Sequence, residues 1–146
     1  MEHTLPSEVL IGAHLRGNEH GWELSSFLTA LSKAEMLGYA CLGGQFQFRL
    51  EASTCEMYWL NADSKDRKTG EEWGDYCRRS CTEVRQSFER LVSETNFREQ
   101  AGGWPQLRES ATQGFKHMER LVFVAYFVDE GEWLTLQQRP FEDKIS

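Results

Sequence analysis

Two runs in which apolar and polar residues alternate, Gln45–Leu50 and Cys55–Leu60, constrain this chain more than any other feature. Side chains alternate faces along a strand, so residues two apart share a face. Phe46, Phe48 and Leu50 form one apolar set, and Cys55, Met57 and Trp59 form another. The pattern predicts a β-hairpin turning near Ala52-Ser53. In that register Leu50 opposes Cys55, Phe48 opposes Met57 and Phe46 opposes Trp59, giving one continuous core face. The same register sets Arg49 against Glu56, Gln47 against Tyr58 and Gln45 against Leu60. A slip of one residue would put Phe48 against Glu56, so the apolar pattern selects the register.

The polar face admits three readings. Arg49 and Glu56 form a solvated cross-strand pair, as is common where an antiparallel sheet wets one face. Alternatively a helix covers the pair. On the functional reading, Gln45, Gln47, Arg49, Glu56 and Tyr58 line a recognition surface, Tyr and Arg being favoured where binding energy concentrates.

Elsewhere the periodicity is helical. Leu24, Phe27, Leu28, Leu31, Ala34 and Leu37 repeat at 3.6-residue spacing, which predicts a helix over 23–37 stopped by Gly38. Thr69-Gly70-Glu71-Glu72 has the form of a capping box for a long helix running to about Thr95. Its buried stripe is Trp73, Cys77, Cys81, Val84, Phe88 and Leu91. The pairs Arg79/Glu83, Arg85/Glu89 and Arg90/Glu94 are expected on its exposed surface. Residues 7–16 are read as a short helix capped by Ser7, although their alternation also permits a strand, and 17–21 as a loop. Gly43-Gly44 suits a bulge or a close backbone approach. Lys65, Arg67 and Lys68 lie in a polar loop. Pro105 is placed to open a helix reaching toward Gly114. Leu121–Val128 is apolar on both alternating faces, as expected of a central strand covered on both sides. Asp129-Glu130-Gly131-Glu132 starts a last short helix with a second capping box, and residues 139–146 read as a frayed tail.

These elements predict one α+β domain over residues 1–146. A small, mainly antiparallel sheet, made of the hairpin and a buried third strand, is packed by several helices. The length suffices for a substantial core, and an aromatic content of 12% argues for a packed globule. A net charge of −7 opposes binding to phosphate backbones and suits a basic protein partner. No apolar run approaches the ~20 residues of a membrane helix. Met1–Pro6 has neither a basic nor an apolar segment of the signal-peptide kind, so a cytoplasmic location is expected. Cys41, Cys55, Cys77 and Cys81 are then reduced, buried thiols.

No catalytic motif stands out. The four histidines share no metal-binding spacing, no cofactor is expected, and no phosphate loop or nucleophile elbow is present. The one enzymatic arrangement open to the chain pairs Glu56 with Asp129 at a sheet end, dividing acid and base roles. Two functions follow. The first is a soluble binding protein that masks a partner through Gln45, Gln47, Arg49, Glu56 and Tyr58, with Asp129, Glu130 and Glu132 as a second acidic contact. In size, acidity and lack of a catalytic motif the chain is similar in type to the small bacterial immunity proteins that neutralise toxins, a likeness no motif carries. The second is a small enzyme or ligand-binding domain with a pocket where Arg49, Glu56 and Tyr58 converge. Self-association through a strand edge is a third reading.

Overall fold

The structure, a computed structural model, describes residues 5–112 and 117–138. Five strands form one antiparallel sheet: β1 (Ala13–Arg16), β2 (Glu19–Glu23), β3 (Ala40–Arg49), β4 (Thr54–Asn61) and β5 (Leu121–Val128). Five helices accompany them: α1 (Leu24–Met36), α2 (Trp73–Glu94), α3 (Phe97–Ala101), α4 (Pro105–Thr112) and α5 (Glu130–Gln137), with a 3-10 turn at His117–Arg120. The strand order is β1-β2-β5-β3-β4. The apolar run at 121–128 is therefore the central strand, as its two-sided pattern requires.

The first strand pair departs from expectation. Residues 13–16 are strand rather than helix, and 19–23 are its partner rather than loop. Arg16 pairs with Glu19 across a two-residue Gly17-Asn18 connection, and Gly17 adopts φ +61. A glycine at the first position of a two-residue turn matches strand twist, which a helix through this segment would forgo. Before it, residues 5–12 form turns, and Trp22 Nε1 ties them down by donating to the Val9 carbonyl at 2.8 Å.

The helix α1 forms where the spacing places it and ends where Gly38 allows. Gly38 sits at φ +85, Tyr39 N–H bonds the Ala34 carbonyl at 2.9 Å and Gly38 N–H bonds that of Glu35 at 3.1 Å. That is a Schellman stop, which a left-handed residue makes possible. The long helix begins at Trp73, three residues later than a Thr69 capping box would give. Glu72 is its N-cap and makes no side-chain cap bond. Glu71 is drawn instead to Arg79 and to the Lys68 backbone.

One face of the sheet packs on α1 and α2. At its centre Phe27, Phe46, Phe88 and Phe123 meet with ring centroids 4.6–5.6 Å apart, the separations that aromatic quadrupoles favour. Cys55, Met57, Phe48 and Leu50 are buried beside them. Two bulges bend β3 and β4. The first, at Cys41/Gly43, has its backbone groups satisfied by side chains: Cys41 N–H donates to Ser80 Oγ at 3.1 Å, and Ser64 donates to the Cys41 carbonyl at 2.6 Å. Gly43 and Gly44 are both required there. A Cβ on Gly44 would stand 2.1 Å from the Val124 carbonyl, and one on Gly43 2.7 Å from Asp63 Cα. The second bulge shapes the candidate site. Among the described residues no helix is long and apolar enough to cross a membrane.

Candidate functional site

The hairpin folds two residues out of the expected register. Phe48 pairs with Cys55, Phe46 with Met57, Gln47 with Glu56 and Arg49 with Thr54. An even shift leaves every side chain on its expected face, but it separates Arg49 from Glu56. The turn is centred one residue earlier, with Leu50 N–H donating to the Ser53 carbonyl at 2.8 Å. The ladder then breaks: Phe46 pairs with Met57, but the next pair is Gln45 with Asn61. Tyr58, Trp59 and Leu60 are left unpaired in a bulge, and bulges re-aim side chains. Trp59, which alternation assigns to the buried core face, sits instead at the edge of the core against Trp104. It is 49% exposed, stacks on Trp104 at 5.8 Å and donates from Nε1 to Gln100 at 3.0 Å. Tyr58 is 68% exposed.

Arg49 faces neither water nor a covering helix. It is only 8% exposed and Gln47 1%. The guanidinium lies across Val122 and Gly21 on the sheet itself: a Cβ on Gly21 would meet Val122 Cγ2 at 2.7 Å and Arg49 Cζ at 3.0 Å. Arg49 donates to Gln47 Oε1 at 2.7 Å, to the Glu19 carbonyl at 3.0 Å and to the His14 carbonyl. All three acceptors are neutral, and burial together with nearby Arg16 pulls the Arg49 pKa down. Arg16 on β1 reaches the Leu50 carbonyl at 2.6 Å and Thr54 Oγ1 at 2.8 Å. In a flat sheet four strand spacings, about 19 Å, would separate β1 from β4. The sheet is thus curled, and Arg16 and Arg49 tie the β1–β2 ribbon to the β3–β4 hairpin across its polar face.

Around this buried pair stand exposed groups. Glu56 faces solvent, and Gln45 is half-buried. Tyr126, 41% exposed, donates its hydroxyl to Glu19 Oε2. Burial and the adjoining Glu19 carboxylate, with Glu56 further off, push the Tyr126 pKa well up. The contact between Glu19 and Tyr126 is not legible in the sequence, because 107 residues separate the two and only the sheet order joins them.

Two depressions adjoin on this side. One, of about 230 Å³, is lined by Leu42, Gly43, Gly44, Gln45, Asn61, Asp63 and Tyr126. The other, of about 280 Å³, lies between the β1–β2 turn, β5 and α5 and is lined by Leu5, Asn18, Glu19, His20, Leu42, Ala125–Val128, Glu132 and Leu136. Neither is lined by Arg49, Glu56 or Tyr58, so these three do not converge on a shared pocket there.

The acidic group at 129–132 is committed largely to structure. Asp129 caps α5 by accepting from Glu132 N–H at 2.8 Å, and Glu132 returns the bond to Asp129 N–H at 2.9 Å. Glu130 pairs with Arg67 at 3.3 Å. The Arg67 guanidinium lies 5.1 Å from the Trp73 ring and 4.7 Å from that of Trp133, so this loop cation is held between two aromatic faces. The carboxylate pair of Glu56 and Asp129 does not form. Glu56 lies level with Val122 through Gln47, and Asp129 is seven residues further along, more than about 20 Å at strand rise. Among the described residues no group of three His, Cys, Asp or Glu side chains is placed to hold a metal. No family model, curated protein or solved structure matches the chain.

Proposed function

We propose that this chain is a cytoplasmic binding protein of the immunity type, which masks a basic protein partner through the surface around the β4 bulge. The observation that carries the reading is the bulge itself. It costs three residues of ladder pairing and leaves Trp59 half exposed against Tyr58 and Trp104 at the sheet edge, with Tyr58 exposed on the same face as Glu56. Exposed aromatic area gains free energy when a partner covers it, and aromatic side chains concentrate where binding energy does. Gln47, buried and bonded to Arg49, pairs with Glu56 on the neighbouring strand, so this part of the face is held in place by hydrogen bonds, which lowers the ordering cost of association. A net charge of −7 would speed encounter with a basic protein.

Affinity capture from the native host tests the reading, with wild type compared against the double variant Tyr58→Ala/Glu56→Arg. The expected result is one stoichiometric basic protein held by wild type and lost by the variant, with the loss growing at lower salt. No partner, or equal capture by both forms, would overturn it.

A further inference from the structure

The larger depression beside α5 has a chemistry of its own. It is lined by Leu42, Phe127, Val128 and Leu136, which are aliphatic and aromatic, together with Glu19, His20 and Glu132, the last engaged in the α5 capping box. Among its described lining residues there is no lysine or arginine. The Glu19 side chain is held by the Tyr126 hydroxyl, and Arg49 hydrogen-bonds Glu19 through its backbone carbonyl. Among the described residues no cation hydrogen-bonds the Glu19 carboxylate, although Arg49 is near enough to feel its charge. At about 280 Å³ the cavity falls just under the roughly 300–1,000 Å³ of pockets that enclose whole small molecules. It suits one side chain. A lining that joins apolar side chains to a carboxylate calls for a group with an apolar stem and a cationic tip, the division found in lysine. The cavity also shares Leu42 and Tyr126 with the depression at Gln45 and Asn61, so it is continuous with the face of the bulge.

We infer that this cavity is a specificity pocket for a lysine side chain of the basic partner. The stem lies on Leu42, Phe127, Val128 and Leu136, and the ammonium meets the Glu19 carboxylate. The inference rests on the binding reading above, deepens it, and is testable without the partner.

The test is an NMR titration of the intact protein with n-pentylamine, pentanoate, pentanol and Nα-acetyl-lysine amide, following the amides of Ala125–Val128 and Leu136. Pentylamine is expected to bind at least tenfold more tightly than pentanoate or pentanol, and acetyl-lysine amide within about threefold of pentylamine. Glu19→Gln should erase the preference for the amine while retaining the fold. Leu136→Trp, at a half-buried position, should fill the cavity and abolish binding of all four probes. Equal binding of amine and carboxylate, an unchanged preference in Glu19→Gln, or no binding by any probe would overturn the pocket. Binding of pentylamine with rejection of acetyl-lysine amide would overturn the protein side chain as its source. Partner capture that survives any of these failures leaves the binding reading standing, so the two are separable.

Discussion

Arg49 Nε donates to Gln47 Oε1 at 2.7 Å, two residues back on the same strand face, and this one bond decides which way the Gln47 amide points. The opposite orientation would set donor against donor. The consequence is that Gln47 Nε2 is buried without a partner, a deficit of the kind that costs about 1–3 kcal/mol. Gln47→Glu removes the orphaned donor and gives Arg49 a counter-charge. We expect it to stabilise the fold by about 1 kcal/mol, measured by urea unfolding at pH 7. Arg49→Met should do the reverse, by about 2–4 kcal/mol, because it strands the acceptors at Gln47, His14 and Glu19. A Gln47→Glu variant less stable than wild type would refute this account of the pair.

The glycines give a sharper contrast. Gly44→Ala would bring a Cβ to 2.1 Å from the Val124 carbonyl and 2.7 Å from the Phe123 ring, both parts of the central strand. Neither can yield without moving β5, and the expected cost is about 3 kcal/mol or more. Gly74→Ala, in the first turn of α2, meets nothing within 4 Å. It should stabilise by up to about 1 kcal/mol through helix propensity. Chemical denaturation of both variants checks the pair, and similar effects from the two substitutions would contradict the close approach at Gly44.

How much of this was legible in the sequence depends on the range of the interaction. Phe46, Phe48, Cys55 and Met57 were assignable to the core because alternation is a local property that survives an even register shift. The same robustness explains why the register itself was misread: a turn without a strong signature fixes faces but not partners. The β1–β2 ribbon was missed although Gly17-Asn18 is a hairpin signal, because the segment before it is short and its apolar residues also fit a helical turn. The bulge at Tyr58–Leu60 has no local signal, since a strict alternation there reads as uninterrupted strand.

For the candidate site, the hairpin's faces follow from alternation and its pairings do not. Arg49 found backbone carbonyls on β1 and β2 rather than Glu56, which follows from a strand order that the sequence does not display. Helical spacing places Arg79 as a solvent-facing partner of Glu83. It does bond Glu83 at 3.0 Å, but it also binds Glu71 and the carbonyls of Lys65 and Asp66. It thereby fastens the 62–72 loop to α2.

That fastening has a pH signature. Hydrogen bonds from Arg79, then from the Lys68 backbone, hold the Glu71 carboxyl at about 2, below its ordinary 4.5. A depressed carboxylate contributes stability that is fully present above the unfolded pKa and is lost as pH falls through the folded one. Wild type and Glu71→Gln should therefore differ by a constant amount above about pH 5, with the gap closing between roughly pH 4.5 and pH 2. Unfolding curves taken across that range check it. A gap that persists undiminished at pH 2 would mean that Glu71 acts through packing rather than charge.

The buried thiols act at the other end of the pH scale. Cys81 is pushed up to about 12 and Cys77 to about 11 from an ordinary 9.0, chiefly by burial, and burial raises Cys41 as well. Here the folded state holds protons that the unfolded chain releases, so the sign is opposite to that of Glu71: stability falls as pH rises through the unfolded thiol range. Under reducing conditions the unfolding midpoint should be flat from pH 7 to about 8 and drop steadily above about 8.5. Cys81→Ala should lessen that slope at the cost of a small cavity. The same burial keeps the thiolate fraction low and access closed. A thiol reagent at pH 8 is therefore expected to modify Cys41, Cys77 and Cys81 no faster than the protein unfolds. Rapid modification of all four cysteines in native protein would show that α2 separates from β3 far more readily than the Ser80 and Phe88 contacts imply.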